Sequence, residues 1–175
     1  MSNTMIKPKL YLFVGYPGAG KTTASKIIEK LTGATHLWAD HLRGEMFNIP
    51  SHSAGESHTL YENLNRRSAE LLVAGKSVIY DTNFNFKNDR QTMRQVAAIH
   101  DAETVLIWIT TPLAKARWRA INTSSDNQTR ILGAMTGTEF DAIVAKLEPP
   151  TVDEHPVKID GTKLDEATLK RYLSL

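Results

Sequence analysis

The chain has 175 residues, 41% of them hydrophobic, which suffices for one compact domain with a sizeable core and would be cramped for two. Lysine and arginine number 21 against 19 aspartates and glutamates, a formal charge of +2, which excludes the extended cationic surface that would by itself demand nucleic acid. There is no cysteine, hence no disulfide framework or thiolate chemistry, and neither a signal-like leader nor a run of about 18 apolar residues, so a soluble cytoplasmic protein is expected.

In chain order, Leu10-Tyr11-Leu12-Phe13-Val14 reads as a buried strand ending at Gly15, and Ala24, Ile27, Ile28 and Leu31 recur at helical spacing behind it. Between the two, Gly15-Tyr16-Pro17-Gly18-Ala19-Gly20-Lys21-Thr22 fits the phosphate-loop pattern G-x-x-x-x-G-K-[ST]. The strand–turn–helix setting gives that pattern mechanical meaning. Gly15, Pro17, Gly18, Ala19, Gly20, Lys21, Thr22 and Thr23 are therefore the expected nucleotide-binding residues. Backbone N–H groups and the positive end of the helix dipole would face a polyphosphate, which the glycines let the main chain approach. Lys21 would reach the β- and γ-phosphates, and the Thr22 hydroxyl would ligate Mg2+.

Thr35-His36-Leu37-Trp38-Ala39 reads as a second strand ending at Asp40, followed by a short helix over residues 42–47 and a loop over 50–55. Leu60, Leu64, Ser68 and Leu71 or Leu72 share one helical face, and Gly75 stops that helix before the strand Ser77-Val78-Ile79-Tyr80, which Asp81 closes. A helix carrying Met93, Val96, Ala97 and His100 precedes the most apolar strand, residues 104–109, expected at the centre of the sheet. Pro112 is placed to start the next helix at its first position.

Residues from about 122 to 138 turn polar and read as a lid, with an ordinary surface loop carrying a short helix at residues 131–135 as the alternative. Phe140, Ile143, Val144 and Leu147 restore helical spacing until Glu148-Pro149-Pro150, residues 156–159 form a last short strand, and a final helix starts near Asp165. Such alternation of strands and helices is the pattern of an α/β fold, a parallel sheet covered by helices.

The phosphate loop, Asp40-x-x-Arg43 after the second strand, Asp81-Thr82-Asn83-Phe84-Asn85 after the third and the Glu148-Pro149-Pro150 turn together resemble the P-loop kinases of the polynucleotide kinase and zeta-toxin-like group. The resemblance runs to about Arg119 in the order of elements. It implies a P-loop NTPase fold with a five-stranded parallel sheet, ATP as donor and a hydroxyl-bearing acceptor. Carried over by position, Asp40 matches the carboxylate that takes the proton of the attacking hydroxyl. Arg43 matches the arginine beside the reacting phosphate, and Asp81 the acidic residue of the third strand. Arg119 matches the first of two lid-side arginines, whereas the second falls on Thr123, so either Arg130 takes over or transition-state charge is neutralised differently.

The residues themselves support this chemistry, since phosphoryl transfer needs alignment and charge stabilisation more than a strong base. Asp40, at a strand's carboxyl end on the loop's side of the sheet, can orient an acceptor hydroxyl; it can equally cap the helix starting at His41. Arg43 lies one turn on, with a surface position paired to Glu45 or another carboxylate as the alternative. Asp81 can hold Mg2+ through water, lock Arg43 or position substrate, or merely close a turn with Asn83. Of Arg117 and Arg119, which cannot share a helix face, Arg119 is the favoured nucleotide contact.

Arg66, Arg67, Arg90 and Arg94 read as solvated helix arginines with acceptor contact as the rarer alternative, Tyr61 as a half-buried core tyrosine with the acceptor cleft as the alternative, and Trp38 and Trp108 as packing residues. Trp118 is the tryptophan placed for base stacking. Thr162-Lys163-Leu164-Asp165 fits a guanine-reading pattern but also a helix-start signature, [ST]-x-x-[DE], so ATP is preferred over GTP. The acceptor classes left open are a small molecule, a nucleoside and a nucleic-acid 5′-hydroxyl. A nucleotide-hydrolysing switch and a non-catalytic nucleotide-binding module are the rival readings.

Overall fold

In the computed structural model, residues 7–123 and 134–175 are described. Five parallel strands, β1 (Lys9–Val14), β2 (Thr35–Trp38), β3 (Val78–Asp81), β4 (Glu103–Thr110) and β5 (Val157–Asp160), lie in the order β2-β3-β1-β4-β5. Helices α1 (Lys21–Thr32), α2 (Ala39–Met46), α3 (Ala54–Val73), α4 (Lys87–Ile99), α5 (Leu113–Ile121), α6 (Gly137–Ala145) and α7 (Glu166–Leu173) supply the crossovers. This is the P-loop NTPase arrangement that the motifs imply.

Alternation along β1 divides the core. Leu10, Leu12 and Val14 join Leu60 and Leu64 of α3 and Met93 and Ala97 of α4 on one face, while Tyr11 and Phe13 meet Ile28 of α1 and Leu169 of α7 on the other. Each fully buried side chain of this size stabilises the fold by roughly 1.5–3 kcal/mol. A satellite cluster of Ala116, Ala120 and Phe140 fixes α5 to α6.

The central rank belongs to β1 and not, as its apolar run suggests, to β4. β1 pairs through Leu10, Tyr11 and Leu12 with β3 and through all six of its residues with β4. A long apolar run reports burial on both faces of a strand; it does not report how many neighbours the strand has along the sheet. β4 exposes Glu103 at its start and leaves Trp108 half-buried, with the Lys158 ammonium 4.8 Å from that ring.

Several ends differ from expectation by a residue or more. β2 stops at Trp38, and α2 begins at once with Ala39, so Asp40 sits inside the first helical turn and is not the cap of a helix starting at His41. Its charge there complements the helix dipole. Pro112 is the N-cap of α5 and not its first residue. Ser53 caps α3, accepting from Glu56 N–H at 3.2 Å. At the last helix the cap is Asp165, which accepts from Thr168 N–H at 2.7 Å, while Thr162 turns back to Asp160.

Candidate active site

The loop between β1 and α1 lies at the carboxyl edge of the central strand. Three crossovers meet there. Helix α1 starts at Gly20 with no side-chain cap and no acidic residue in its first turn, which leaves its first N–H groups for an anion. Gly18 is required for packing as well as for backbone conformation: its φ is 76°, and a Cβ there would overlap the Ala116 carbonyl oxygen of α5 and stand 2.9 Å from Ala120 N. The loop is thus pressed against α5. Its other side is held where the Thr111 hydroxyl donates to the Ala19 carbonyl at 2.8 Å.

A cleft of about 960 Å3 opens over the loop, lined by Pro17, Gly18, Gly20, Lys21, Thr22 and Thr23. Gly15 and Ala19 lie behind it, Ala19 fully buried and Gly15 beside Trp108 and Ile109. Lys21 is nearly buried and donates through Nζ to the carbonyls of Gly15 at 2.8 Å and Tyr16 at 2.9 Å. An ammonium folded onto its own loop in this way lies within reach of whatever the loop binds.

On the β2–β3 side, Asp40, Arg43, His52, Tyr61, Asp81, Thr82 and Asn83 line the cleft. On the β4–β5 side its walls are Trp118, Arg119, Gly161, Thr162 and Leu164, with Met135 and Glu139 at the rim. Lys21, Thr22, Asp40, Arg43, Asp81 and Arg119 therefore face one cavity. Arg119 donates to the Gly161 carbonyl at 3.2 Å, tying α5 to the loop after β5, whereas Arg117 points to Asp141 of α6 at 3.3 Å.

Arg43 is buried and not at the surface, and the carboxylate with which it pairs is Glu56 of α3. Asp81 is 4% exposed, and its carboxylate meets His36 Nε2 at 3.0 Å, while His36 Nδ1 meets Glu29 at 3.1 Å. Burial opposes a charge on that ring, but its bonds to Asp81 and Glu29 outweigh burial and raise the His36 pKa. His36 stacks on Trp38 with ring centroids 5.9 Å apart, and Trp38 stacks in turn on His41. Trp38 thus lines the cleft as well as packing.

Tyr61 reaches the cleft, not the core, its hydroxyl 3.2 Å from that of Thr82. Arg90 is not solvated: it is fully buried and bidentate to Glu154 at 2.6 and 2.9 Å, and it donates to the carbonyls of Phe84 and Glu148. Arg94 donates to the Glu154 carbonyl, and Arg66 pairs with Glu70 on the solvent face of α3. Residues 124–133 of the lid reading, Arg130 and most of the short helix at 131–135 among them, lie outside the described residues. Thr123 lines the cleft and donates to the Arg119 carbonyl at 2.6 Å.

His36, Glu56 and Gly161 escaped the sequence reading because their partners are distant in the chain or lack a motif. Gly161 has a readable reason in hindsight: a Cβ there would meet the Ala19 carbonyl and the Thr111 hydroxyl.

The donors present suit Mg2+. A hydroxyl from Thr22 and carboxylates from Asp40 and Asp81 open into one cavity, leaving further positions for phosphate and water, as this ion prefers. Among the described residues no group of three or more His, Cys, Asp or Glu could hold a metal by itself, so the protein builds no closed metal cage there. In Thr162-Lys163-Leu164-Asp165, Asp165 Oδ1 serves the helix cap by accepting from Thr168 N–H.

The family model of the AAA domain matches residues 10–150. A candidate kinase from Chloroflexus aurantiacus is similar in fold, with a TM-score of 0.74 at 22% identity over 97% of this chain and 96% of that one. A sugar kinase from Janibacter sp. HTCC2649 gives 0.67 at 18% identity over 97% and 94%. The Mycobacterium tuberculosis APS kinase, solved with AMPPNP and APS, gives 0.64 at 16% identity over 96% and 96%. No curated protein matches the chain.

Proposed function

The chain belongs to the AAA domain family, and from that premise we propose that it is a single-domain kinase that moves the γ-phosphate of ATP to the hydroxyl of a small molecule or nucleoside. The observation that carries this reading is the opening of the uncapped α1 N-terminus, with Lys21 and Thr22, into the same cavity as the Asp40 carboxylate. The fold neighbour solved with AMPPNP and APS supports a nucleotide donor paired with a small acceptor.

In this reading the two substrates take opposite flanks of the sheet. The triphosphate lies along the loop after β1, its base toward Arg119, Trp118 and the Gly161–Thr162 turn. The acceptor enters on the β2–β3 side, between Asp40 and Tyr61. Lys21 leaves the Gly15 and Tyr16 carbonyls for the β- and γ-phosphates, and loop N–H groups take the charge that develops on the phosphoryl oxygens. The acceptor oxygen bonds to the γ-phosphorus as the bond from that phosphorus to the β,γ-bridging oxygen breaks. ADP leaves, and the hydroxyl proton passes late to Asp40.

Thr22 and Asp81 would hold Mg2+, which supplies neutralisation of β- and γ-phosphate charge. Arg119 adds a cation on the donor side.

Incubation with γ-labelled ATP, Mg2+ and pooled acceptors tests the reading. Nucleosides, sugars, amino sugars and 5′-hydroxyl oligonucleotides make up the pool. The expected product is a labelled alcohol. Release of all label as inorganic phosphate, at a rate that no hydroxyl compound alters, would favour a nucleotide-hydrolysing switch instead.

A further inference from the structure

The acceptor side of the cleft contains an arginine, but its charge is already taken. Arg43 of α2 has a side chain 6% exposed and is ion-paired with Glu56 of α3, whose side chain is also 6% exposed. Glu56 is itself anchored: Oε2 accepts from Ser51 N–H at 2.7 Å and from the Ser51 hydroxyl at 2.8 Å, and Oε1 accepts from His52 N–H at 3.2 Å. Although burial opposes ionisation, the bonds from Ser51, Arg43 and His52 hold the Glu56 carboxyl down to about 2, so the pair is charged on both sides at any working pH. Drawing Arg43 away to a substrate phosphate would leave the Glu56 carboxylate with its Ser51 and His52 bonds but without its ion partner, a cost that the phosphate contact has to repay.

The other charges on this flank do not favour an anion either. Asp40 and Asp81 line the cavity, and His36 behind Asp81 is shared with Glu29. The positive groups, Lys21, Arg119 and the α1 N-terminus, stand at the loop and on the β4–β5 side, where the donor's phosphates belong.

We infer that the acceptor is a neutral or cationic hydroxyl compound with no phosphate or carboxylate beside its reacting hydroxyl, and that the Arg43–Glu56 pair enforces this choice. The inference rests on the kinase reading and narrows it. A nucleoside, a polyol or an amino sugar fits; a sugar phosphate, a nucleotide or the end of a polynucleotide meets the Asp40 carboxylate and a neutralised arginine.

Two measurements test it. In the first, inorganic phosphate is titrated calorimetrically into protein saturated with AMPPNP and Mg2+, so that the loop is filled. The wild type is expected to bind none. Glu56→Gln keeps one oxygen, which can retain the two Ser51 bonds while the His52 bond is lost, and it releases the charge of Arg43; it is expected to gain a phosphate site at least about tenfold tighter than any in the wild type. The double variant Glu56→Gln with Arg43→Gln should lose that site again. Phosphate binding by the wild type that disappears in Arg43→Gln, or no gain in a folded Glu56→Gln protein, would overturn the inference.

The second measurement needs no variant: label transfer from γ-labelled ATP is compared for acceptors paired with and without a phosphate. One pair is a nucleoside and its 3′-monophosphate. Label is expected on the unphosphorylated member alone, and equal labelling of both overturns the inference. Absence of label on every acceptor is instead a failure of the kinase reading, and the phosphate titration then still decides the role of Arg43 and Glu56.

Discussion

Lys21 is the residue on which nucleotide gripping depends most, because its ammonium carries the only side-chain charge within the loop itself. Lys21→Ala should abolish label transfer while circular dichroism shows an intact fold; transfer at the wild-type rate would remove the loop from the chemistry. His36 makes a separate prediction. Both of its ring nitrogens face carboxylates, which accept and do not donate, so the ring is held doubly protonated. Its folded pKa is raised, so the stability that it contributes is complete below about 6.5, the ordinary histidine value, and is lost as pH rises through the higher folded value. In an NMR titration, the His36 ring should have a midpoint above that of a free histidine, and Asp81→Asn and Glu29→Gln should each lower it. An ordinary midpoint in the wild type would contradict the bridge.

What could be read in advance at this scale follows from locality. Lys21, Thr22 and the glycines belong to one contiguous motif, and Asp40 and Asp81 each end or follow a recognisable strand, so their convergence on one cleft follows from parallel strands sharing a carboxyl edge. The His36–Asp81 and Arg43–Glu56 contacts join residues 45 and 13 apart, and no spacing rule announces them.

Among elements, the segment from α6 to β5 is held by one buried ion pair. Arg90 of α4 clamps Glu154 of the 3-10 turn Val152–Glu154, and its Nη1 donates to carbonyls on both sides, Phe84 after β3 and Glu148 after α6. Glu148 in turn bonds to Asn85 and Lys87, so the Glu148-Pro149-Pro150 turn fixes the chain leaving β3, and with it the surroundings of Asp81. Glu154→Gln should destabilise the fold by about 3–5 kcal/mol in denaturant titrations, since it leaves the Arg90 charge buried without its partner. The Arg90 bonds hold the Glu154 carboxyl down to about 2. Its contribution is therefore full above about 4.5, the usual glutamate range, and is lost as pH falls toward 2. If Glu154→Gln loses no stability, or if wild type and variant respond alike to acid, the clamp contributes nothing.

The elements themselves were largely legible. Apolar runs and helical spacing mark all five strands and the main helices, and Gly75 ends α3 as its position suggests. Arg90 was misread because a helix arginine looks solvated until the element covering it is known. β4 was misranked because hydrophobicity measures burial and not pairing order.

For the molecule as a whole, the proposed separation of donor from acceptor rests on the order β2-β3-β1-β4-β5. The phosphate loop follows the middle strand, the crossovers on one side bring Asp40, Tyr61 and Asp81, and those on the other bring Arg119 and the turn after β5. Alternating strands and helices announce a parallel sheet, and the loop motif announces which strand leads to phosphate; which side chains flank the loop on either side becomes visible only with the strand order.

The central claim is that the loop presents the terminal phosphate of ATP to an alcohol steered by Asp40, and single-turnover label transfer by Asp40→Asn, measured beside its ATP affinity, tests it most directly. The account predicts that transfer falls by about 10²–10⁴-fold while ATP binding holds. Transfer as fast as in the wild type would reduce Asp40 to a first-turn helix residue and contradict the mechanism.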